Sequence, residues 1–273
     1  MRGEISSGRH SKRHPYDWYV EEYWVTAQLY RALGGFAQEK REGLAVWDPA
    51  AGLGTIGGAF LEDGHRVFYS DIVERIDWAR VGEFEAEVPP SFRSANFLDL
   101  VKPPAPCSIV CNPPYSYIDG IAEAFVRHAL RLTHRRVCML MPVKWLASQV
   151  RYGLFAEDHP PQAILYLTQR PSMPPGDRIE AMGNRAFRGG MIDYCWVVWD
   201  VKRPTPAGFT RSVWLPPLHR SFDLLPIEGP PPAGFRSGWT PMVPAQRLAE
   251  RLGVRELWIK DDSANYPTFS YKD

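Results

Sequence analysis

The sequence LAVWDPAAGLGTIGGAF, residues 44–60, decides the fold. Its apolar start is typical of a β-strand, its glycines indicate a turn, and the residues after them predict a helix. A strand that leads through a glycine turn into a helix is the opening unit of an open α/β sheet. The small residues Ala50, Gly52 and Gly54 let the backbone approach a ligand closely. We therefore expect a bound ligand where this first strand ends.

Asp48 indicates what kind of ligand that is. The glycines at positions 52, 54 and 57 match the fingerprint of dinucleotide-binding proteins, a pattern that also occurs in unrelated proteins. A carboxylate directly before the turn would repel a pyrophosphate, whereas it suits a cation such as the amino group of a methionine moiety. A nucleotide-dependent oxidoreductase that binds NAD is the alternative from a different enzyme class.

Two more acidic residues follow stretches with strand character. Asp71 ends the run Arg66–Ile72, about twenty residues beyond the glycine turn, where a carboxylate commonly holds ribose hydroxyls. We assign Asp71 and Ile72 to the cofactor pocket, with a helix cap by Asp71 as the alternative. Asp99, in the stretch Ser94–Leu100, is placed to reach an adenine amino group, although it could equally be a turn residue.

The stretch VCNPPY, residues 110–115, supplies groups for chemistry on a planar amine. Such an amine is a poor nucleophile because its lone pair is delocalised into the ring. The Asn112 side-chain carbonyl and the Pro113 backbone carbonyl can accept both amine hydrogens and so free the lone pair. Pro113 and Pro114 hold the residue before each of them extended, and Tyr115 offers a ring for stacking. A simple turn after a strand is the alternative interpretation.

The rest of the pattern predicts three further strands and one basic loop. Residues 137–142 are wholly apolar, as in a buried parallel strand, and residues 163–167 and 194–199 form a final pair with no helical pattern between them. A flexible, glycine-hinged loop over residues 168–193 suits contact with a phosphate backbone, with a solvated loop as the alternative. We assign its four arginines to substrate binding: Arg170, Arg178, Arg185 and Arg188.

Composition restricts the class of protein. With 45% hydrophobic and 23% charged residues the chain is ordinary for a globular protein, and no apolar run approaches the roughly 20 residues of a membrane span. The net charge of +1 means that nucleic-acid binding must rest on a local basic patch. The four cysteines have no metal-ligand spacing, so we expect buried free thiols and no metal.

The domain prediction divides the chain into three parts. Residues 1–13 are polar and basic and are expected to form a flexible N-terminal arm, and the main domain is expected to span residues 14–200. Residues 201–273 hold 11 of the 26 prolines and predict an extension or small subdomain, with a linker at 229–232 and a helix at 244–258. The absence of a targeting signal favours a cytoplasmic protein.

The chain resembles the S-adenosylmethionine-dependent amino-methyltransferases, specifically the DNA N6-adenine methyltransferases. DPAAGLG, residues 48–54, looks like their methionine-binding motif, and CNPPY, residues 111–115, looks like their catalytic motif. YCWVVWD, residues 194–200, is similar to a signature of phage- and prophage-type members. The resemblance covers about residues 14–200. It implies S-adenosylmethionine as cofactor and DNA, in duplex form, as partner.

The resemblance also implies a fold and further site residues. The fold is α/β: a Rossmann-like class I methyltransferase sheet of seven strands, six of them parallel, with the last strand inserted antiparallel. A short proline-rich C-terminal extension would follow. Trp18, Tyr19 and Glu21 would belong to the segment that closes over the cofactor, although many members have an aromatic residue followed by Thr-Pro there. The chain also lacks the family's large target-recognition domain.

The reaction implied by the resemblance is direct methyl transfer to a flipped-out adenine. Asn112 and the Pro113 carbonyl would accept the N6 hydrogens, and the base would stack on Tyr115. The same motif could act on an amine in RNA, either adenine N6 or guanine N2, or on the glutamine amide of a release factor. Release-factor enzymes carry a helical domain before the glycine motif, and only about 47 residues precede it here. Cytosine N4 enzymes usually have Ser in place of Asn112, and a non-enzymatic DNA-binding protein is a further alternative.

Overall fold

The computed structural model describes residues 14–78, 91–115, 118–217, 242–244 and 258–260. The chain divides into two compact units, Met1–Ser221 and Phe222–Asp273. The predicted N-terminal arm, the linker at 229–232 and the interior of the predicted helix at 244–258 lie outside the described residues.

The first unit is built on one sheet of eight strands. The strands are β1 (Ala45–Asp48), β2 (Val67–Asp71), β3 (Ser91–Ser94), β4 (Cys107–Cys111), β5 (Arg136–Pro142), β6 (Ala163–Leu167), β7 (Tyr194–Asp200) and β8 (Arg211–Leu215). In the second unit, β9 (Met242–Pro244) and β10 (Trp258–Lys260) form an antiparallel pair.

The strand order of the large sheet is β3-β2-β1-β4-β5-β7-β6-β8. Strand β7 is inserted between β5 and β6 and runs antiparallel to both, whereas the other neighbouring pairs are parallel. The prediction of a Rossmann-like α/β sheet with an inserted antiparallel strand is therefore confirmed. Its consequence for function is that β1, β2 and β4 are neighbours whose carboxyl ends lie at one edge.

The count of seven strands was wrong, because the segment Arg211–Leu215 adds an eighth. It pairs in parallel with β6, in the register Ala163↔Arg211 to Leu167↔Leu215. The strand satisfies backbone groups of β6 that would otherwise form the sheet edge. Trp214 stacks on Tyr166 with ring centroids 5.4 Å apart. The short run RSVWL lies among prolines, which is why composition alone assigned it to an extension.

The helices of the first unit cover both faces of the sheet. They are α1 (Tyr23–Ala32), α2 (Ala37–Glu42), α3 (Thr55–Leu61), α4 (Ile121–Leu132), α5 (Val143–Leu146) and α6 (Ile179–Met182). Side chains of α1 and α3 share one buried cluster with one face of the strands, and α4 packs on the opposite face. Strand residues alternate between the clusters: Val46 joins the first, and Trp47 the second. The result is a three-layer core with both sheet faces buried.

The four cysteines, Cys107, Cys111, Cys138 and Cys195, are free and buried in these strands. No group of His, Cys, Asp and Glu side chains among the described residues has a metal-binding arrangement. Within the same residues, no helix is long and apolar enough to cross a membrane.

We expect Gly57→Ala to destabilise the first unit by about 1–3 kcal/mol, because it overpacks a closed contact. A Cβ at Gly57 would lie 1.9 Å from the hydroxyl oxygen of Tyr69, whose ring is buried against Trp78. Urea unfolding measures the change in the free energy of unfolding.

Gly58→Ala, one position further along α3, is the matched control. A Cβ at Gly58 would meet its nearest neighbour, Tyr23, at an ordinary 3.6 Å. Since alanine favours helix over glycine by roughly 0.5–1 kcal/mol, this variant should be as stable as the wild type or more so. Equal destabilisation by the two substitutions would contradict the packing argument.

Candidate active site

A cleft opens at the carboxyl ends of β1, β2 and β4. Strand β1 lies between β2 and β4, and the chain order reverses there, so this is the switch point where open α/β sheets bind ligands. Most of the predicted site residues line the cleft. They are Trp18, Tyr19, Glu21, Asp48, Ala50, Gly52, Asp71, Ile72, Asn112 and Pro114.

The glycine turn after β1 is tied to the end of β2. Gly52 has a φ of 53° and Gly54 a φ of 79°, which explains the need for glycine at both positions. The backbone N–H of Gly52 donates to Asp71 Oδ2 at 2.9 Å, and the N–H of Val73 donates to Asp71 Oδ1 at 3.1 Å. Gly54 itself is not in the cleft lining; its close neighbour is Trp78. The turn is thus held open by a buried carboxylate.

Asp48 presents an unsatisfied carboxylate oxygen in the cleft. Its Oδ1 accepts from the N–H of Ala50 at 3.2 Å, whereas its buried Oδ2 has no hydrogen-bond partner among the described residues. Burial raises the pKa of Asp48 well above its usual value, and the nearby carboxyls of Glu21 and Asp71 raise it further, while the Ala50 N–H and the Cys111 thiol lower it in part. A bound cation would relieve both the missing hydrogen bond and the repulsion.

Glu21 places a second buried carboxyl beside Asp48. It is only 6% exposed, and burial raises its pKa while the hydrogen bond from Asn112 lowers it. Two buried carboxyls with raised pKa values form a poor site for a pyrophosphate and a good one for an ammonium group. The residues present therefore fit the amino end of a methionine-type cofactor better than a dinucleotide.

The cleft lining also includes residues that suit a flat, apolar group with a polar edge. They are Ile72, which is 43% exposed, Asn96, Phe97 and Phe125. Asn96 and Phe97 were missed by sequence reasoning, which selected Asp99 from the same stretch. The signal that could have found Asn96 is its position just past β3, whereas Asp99 follows in a 3-10 turn.

Asp99 lies outside the cleft lining in this structure. Its side chain is exposed and accepts from Asn96 Nδ2 at 3.0 Å. Its assignment to an adenine amino group stays a prediction.

Asn112, directly after β4, has both ends of its side-chain amide engaged. Its Nδ2 donates to Glu21 Oε2 at 2.7 Å and to the Tyr19 carbonyl at 3.3 Å. Its Oδ1 accepts from the hydroxyl of Tyr115. Because both partners of Nδ2 are acceptors, this network fixes which end of the amide is the oxygen. A carbonyl oxygen has two lone pairs, so Oδ1 can still accept a hydrogen from a ligand.

Tyr115 points its hydroxyl into the protein. The one hydroxyl hydrogen of Tyr115 has two acceptors within reach, Asn112 Oδ1 and the carbonyl of Leu140 at 3.0 Å. The half-buried ring packs against Tyr194 with centroids 6.2 Å apart. Burial raises the pKa of Tyr115 well above its usual value, so the phenol stays protonated and can donate. The ring supports Asn112 from behind, a role that sequence reasoning did not anticipate.

Tyr16 and Asp17 line the same cleft and were also missed. Both have positive φ values, 62° and 51°, which is strained for residues other than glycine. Asp17 is buried, and its Oδ2 accepts from the backbone N–H of Tyr115 at 3.1 Å. Such strain marks a segment whose position the surrounding structure enforces. The sequence signal was the dense aromatic run that begins with Tyr16.

The N-terminal wall of the cleft is clamped by the start of the basic loop. Val20 N–H donates to the Pro174 carbonyl at 3.0 Å, Gly176 N–H donates to the Trp18 carbonyl at 3.1 Å, and Tyr19 forms an isolated antiparallel bridge with Pro175. The loop therefore has structure of its own, including α6 and short 3-10 turns, contrary to the expected absence of secondary structure.

The four loop arginines are exposed but differ in their pairing. Arg170 forms an ion pair with Asp193, with Nε to Oδ1 at 2.7 Å. Arg178, Arg185 and Arg188 lie on or next to the short helical turns between residues 176 and 188. Since the loop connects the carboxyl end of β6 to β7, these arginines lie at the same sheet edge as the cleft. They do not line the cleft itself.

Comparison with known proteins leaves the family open. No family model matches the chain. A threonine synthase from Methanosarcina acetivorans is 39% identical over 62 residues, which are 23% of this chain and 14% of that protein. The chain thus matches only about a seventh of that relative, a share that gives no ground for assigning its activity here.

Several solved structures share part of the architecture. Magnesium protoporphyrin IX methyltransferase from Synechocystis PCC 6803, with bound SAM, has a TM-score of 0.38 at 16% identity, over 63% of this chain and 80% of that one. The 23S rRNA methyltransferase ErmE has 0.42 at 19%, over 60% and 64%. The type IIG restriction endonuclease BpuSI has 0.44 at 14%, over 63% and 25%. At these identities and TM-scores the likenesses carry no argument about function.

Proposed function

We propose that this protein transfers a methyl group from S-adenosylmethionine to the exocyclic N6 amine of adenine in DNA. The observation that supports this most directly is the position of Asn112 in a cleft that is also lined by the buried carboxyls of Asp48 and Glu21, among others. Its carboxyls suit a cationic amino acid moiety, and its apolar lining residues suit a nucleoside. Asn112 lines the same cleft.

S-adenosylmethionine supplies an electrophilic methyl group on a sulfonium sulfur when it is bound. Asp48 and Glu21 would hold its ammonium group, and Asp71 would hold its ribose hydroxyls. Asn96 and Phe97 would contact the adenine, because they line the cleft and Asp99 does not.

The protein's part in the transfer is to bind and orient the acceptor amine. Asn112 Oδ1 and the Pro113 carbonyl would accept its two hydrogens, which returns the lone pair to nitrogen. With its hydrogens held by these two oxygens, the amine nitrogen would use its lone pair to form the bond to the methyl carbon, and the electrons of the broken carbon–sulfur bond would stay on sulfur. The nitrogen, cationic after the transfer, then loses a proton to solvent. Positioning and polarisation of this kind account for most of the rate enhancement expected here.

The acceptor assignment to DNA rests on the basic loop and on the exposed aromatic residues near it. Arg178, Arg185 and Arg188 are exposed at the sheet edge that carries the cleft. Tyr16, 46% exposed at the cleft, would contact a flipped base, whereas stacking on Tyr115, which does not line the cleft, stays a prediction.

The wild-type protein should convert adenine to N6-methyladenine in duplex DNA, detected by mass spectrometry of the released nucleosides. Asn112→Ala should bind the cofactor with near wild-type affinity but lower the single-turnover rate by about 10²–10³, the usual cost of one lost transition-state hydrogen bond. Asn96→Ala is the contrasting variant: it should raise the cofactor Kd and leave the rate at saturation unchanged.

Parallel reactions with matched RNA and single-stranded DNA distinguish the acceptors. Methylation of RNA alone would sink the DNA assignment while leaving the methyltransferase proposal in place. Transfer to no nucleic acid, together with no calorimetric binding of S-adenosylmethionine, would contradict the function itself.

Asp48→Asn should stabilise the protein without cofactor at pH 8 and abolish tight cofactor binding. Because the pKa of Asp48 is raised on folding, stability is present at low pH and is lost as pH rises through the folded-state pKa. An amide removes that loss, so the gain should shrink as the pH is lowered. Loss of a buried charge partner should weaken cofactor binding by at least about 30-fold, or 2 kcal/mol.

Urea unfolding at several pH values and calorimetry provide the two measurements. Asp119→Asn is the control, since Asp119 is exposed and its substitution should alter neither quantity. A destabilised Asp48→Asn protein at pH 8 would contradict the account of Asp48 as an uncompensated buried carboxyl.

Arg185→Ala and Arg188→Ala should each weaken DNA binding and reduce the slope of log K against log salt by about 1. Arg170→Ala should have the smaller effect, because Arg170 is already paired with Asp193. Fluorescence anisotropy over a salt series measures both quantities. Identical slopes for the wild type and all three variants would contradict the proposal that the loop contacts DNA.

A further inference from the structure

The side-chain amide of Asn112 is held by a charged group that lies outside the catalytic motif. Glu21, from the segment before α1, accepts from Asn112 Nδ2 at 2.7 Å, the shorter of the two bonds that this nitrogen donates. On the other side, Tyr115 donates to Oδ1. The amide is therefore fixed between an acceptor and a donor, with its oxygen on the Tyr115 side.

Glu21 also belongs to the acidic end of the cleft. It is buried, it lines the cleft with Asp48, and its charge acts on Asp48. One carboxyl thus touches Asn112 and faces the place where a cationic ligand fits. No other carboxyl in the described part of the chain has a hydrogen bond to Asn112.

We propose that Glu21 is a positioning residue that orients the Asn112 amide and couples cofactor binding to the strength of its oxygen as an acceptor. This inference rests on the proposed function, since it names the group that prepares Asn112 for the amine. Glu21 acts through Asn112 and not by touching the acceptor.

The physical basis is polarisation along a chain of hydrogen bonds. When a carboxylate accepts from an amide N–H, the amide nitrogen becomes more positive and its oxygen more negative, which strengthens the next bond in the chain. A cation held by Asp48 and Glu21 favours the ionised form of Glu21. Cofactor binding would then make Asn112 Oδ1 a stronger hydrogen-bond acceptor before the amine binds.

The first test is the ¹⁵N spectrum of the Asn112 side-chain amide in the full chain without cofactor, assigned with Asn112→Ala. In the wild type these protons should be shifted downfield by the hydrogen bond to Glu21, and Glu21→Ala should move them upfield, to a position set by the longer bond to the Tyr19 carbonyl. Glu21→Gln keeps an acceptor without the charge and should give an intermediate shift. Glu22→Gln, in the same segment, should leave the signal unchanged, because Glu22 bonds to the Ser172 N–H instead.

The second test separates positioning from cofactor binding. At saturating cofactor and DNA, Glu21→Ala should lower the single-turnover rate by about 10- to 100-fold, the loss expected from a displaced reacting group. Glu21→Gln should recover part of it. In an Asn112→Ala background, Glu21→Ala should cost no further rate, since the two residues act as one unit.

Either of two results would overturn the inference: an Asn112 amide signal unaffected by Glu21→Ala, or a wild-type rate at saturation with only the cofactor Kd raised. If Glu21→Ala does not fold, the isosteric Glu21→Gln decides both measurements. An inactive wild-type protein would defeat the proposed function, whereas the amide spectrum still decides whether Glu21 fixes Asn112.

Discussion

The candidate site is defined by a cluster of acidic side chains at the carboxyl edge of the sheet. Asp48 ends β1, Asp71 ends β2, and Glu21 is brought against them from the segment before α1. Burying carboxyls is unfavourable: burial raises the pKa values of both Asp48 and Glu21, and the neighbouring carboxyls raise the pKa of Asp48 further. The cost is tolerated because the edge rests on a three-layer core whose central strands are wholly buried. A cation bound at this edge would reduce the cost of the buried carboxyls, and this relief would contribute to its binding free energy.

The N-terminal segment is the second element on which the site depends. It supplies Asp17 to the backbone of Tyr115, Glu21 to the side chain of Asn112, and a backbone bridge at Tyr19 to the loop before β7. The same few residues therefore touch the cofactor end of the cleft, the predicted catalytic turn and the start of the basic loop. Direct contacts of this segment therefore join the three parts of the site.

Much of the fold could be predicted from the sequence because its signals are local. The glycine turn after β1, the acids at the ends of β1 and β2 and the apolar run of β5 each follow from periodicity and residue chemistry. The inserted antiparallel strand came from the family resemblance. The eighth strand was not predicted, because RSVWL is short and its pairing with β6 is a contact between distant parts of the chain. The choice of Asp99 over Asn96 has a similar cause. Sequence alone does not fix the residue at which β3 ends, and that residue decides which side chain lines the cleft.

The sequence by itself determined that Asp48, Asp71 and Asn112 end neighbouring strands and therefore meet at one edge, since parallel strands align their carboxyl ends. The tertiary structure alone decided the orientation of Asn112 and Tyr115. A side-chain amide is set by partners that lie far away in the chain, here Glu21, some ninety residues earlier. It also decided that Tyr115 directs its hydroxyl inward, because the Leu140 carbonyl, one of the two acceptors within its reach, comes near only once β4 and β5 are side by side.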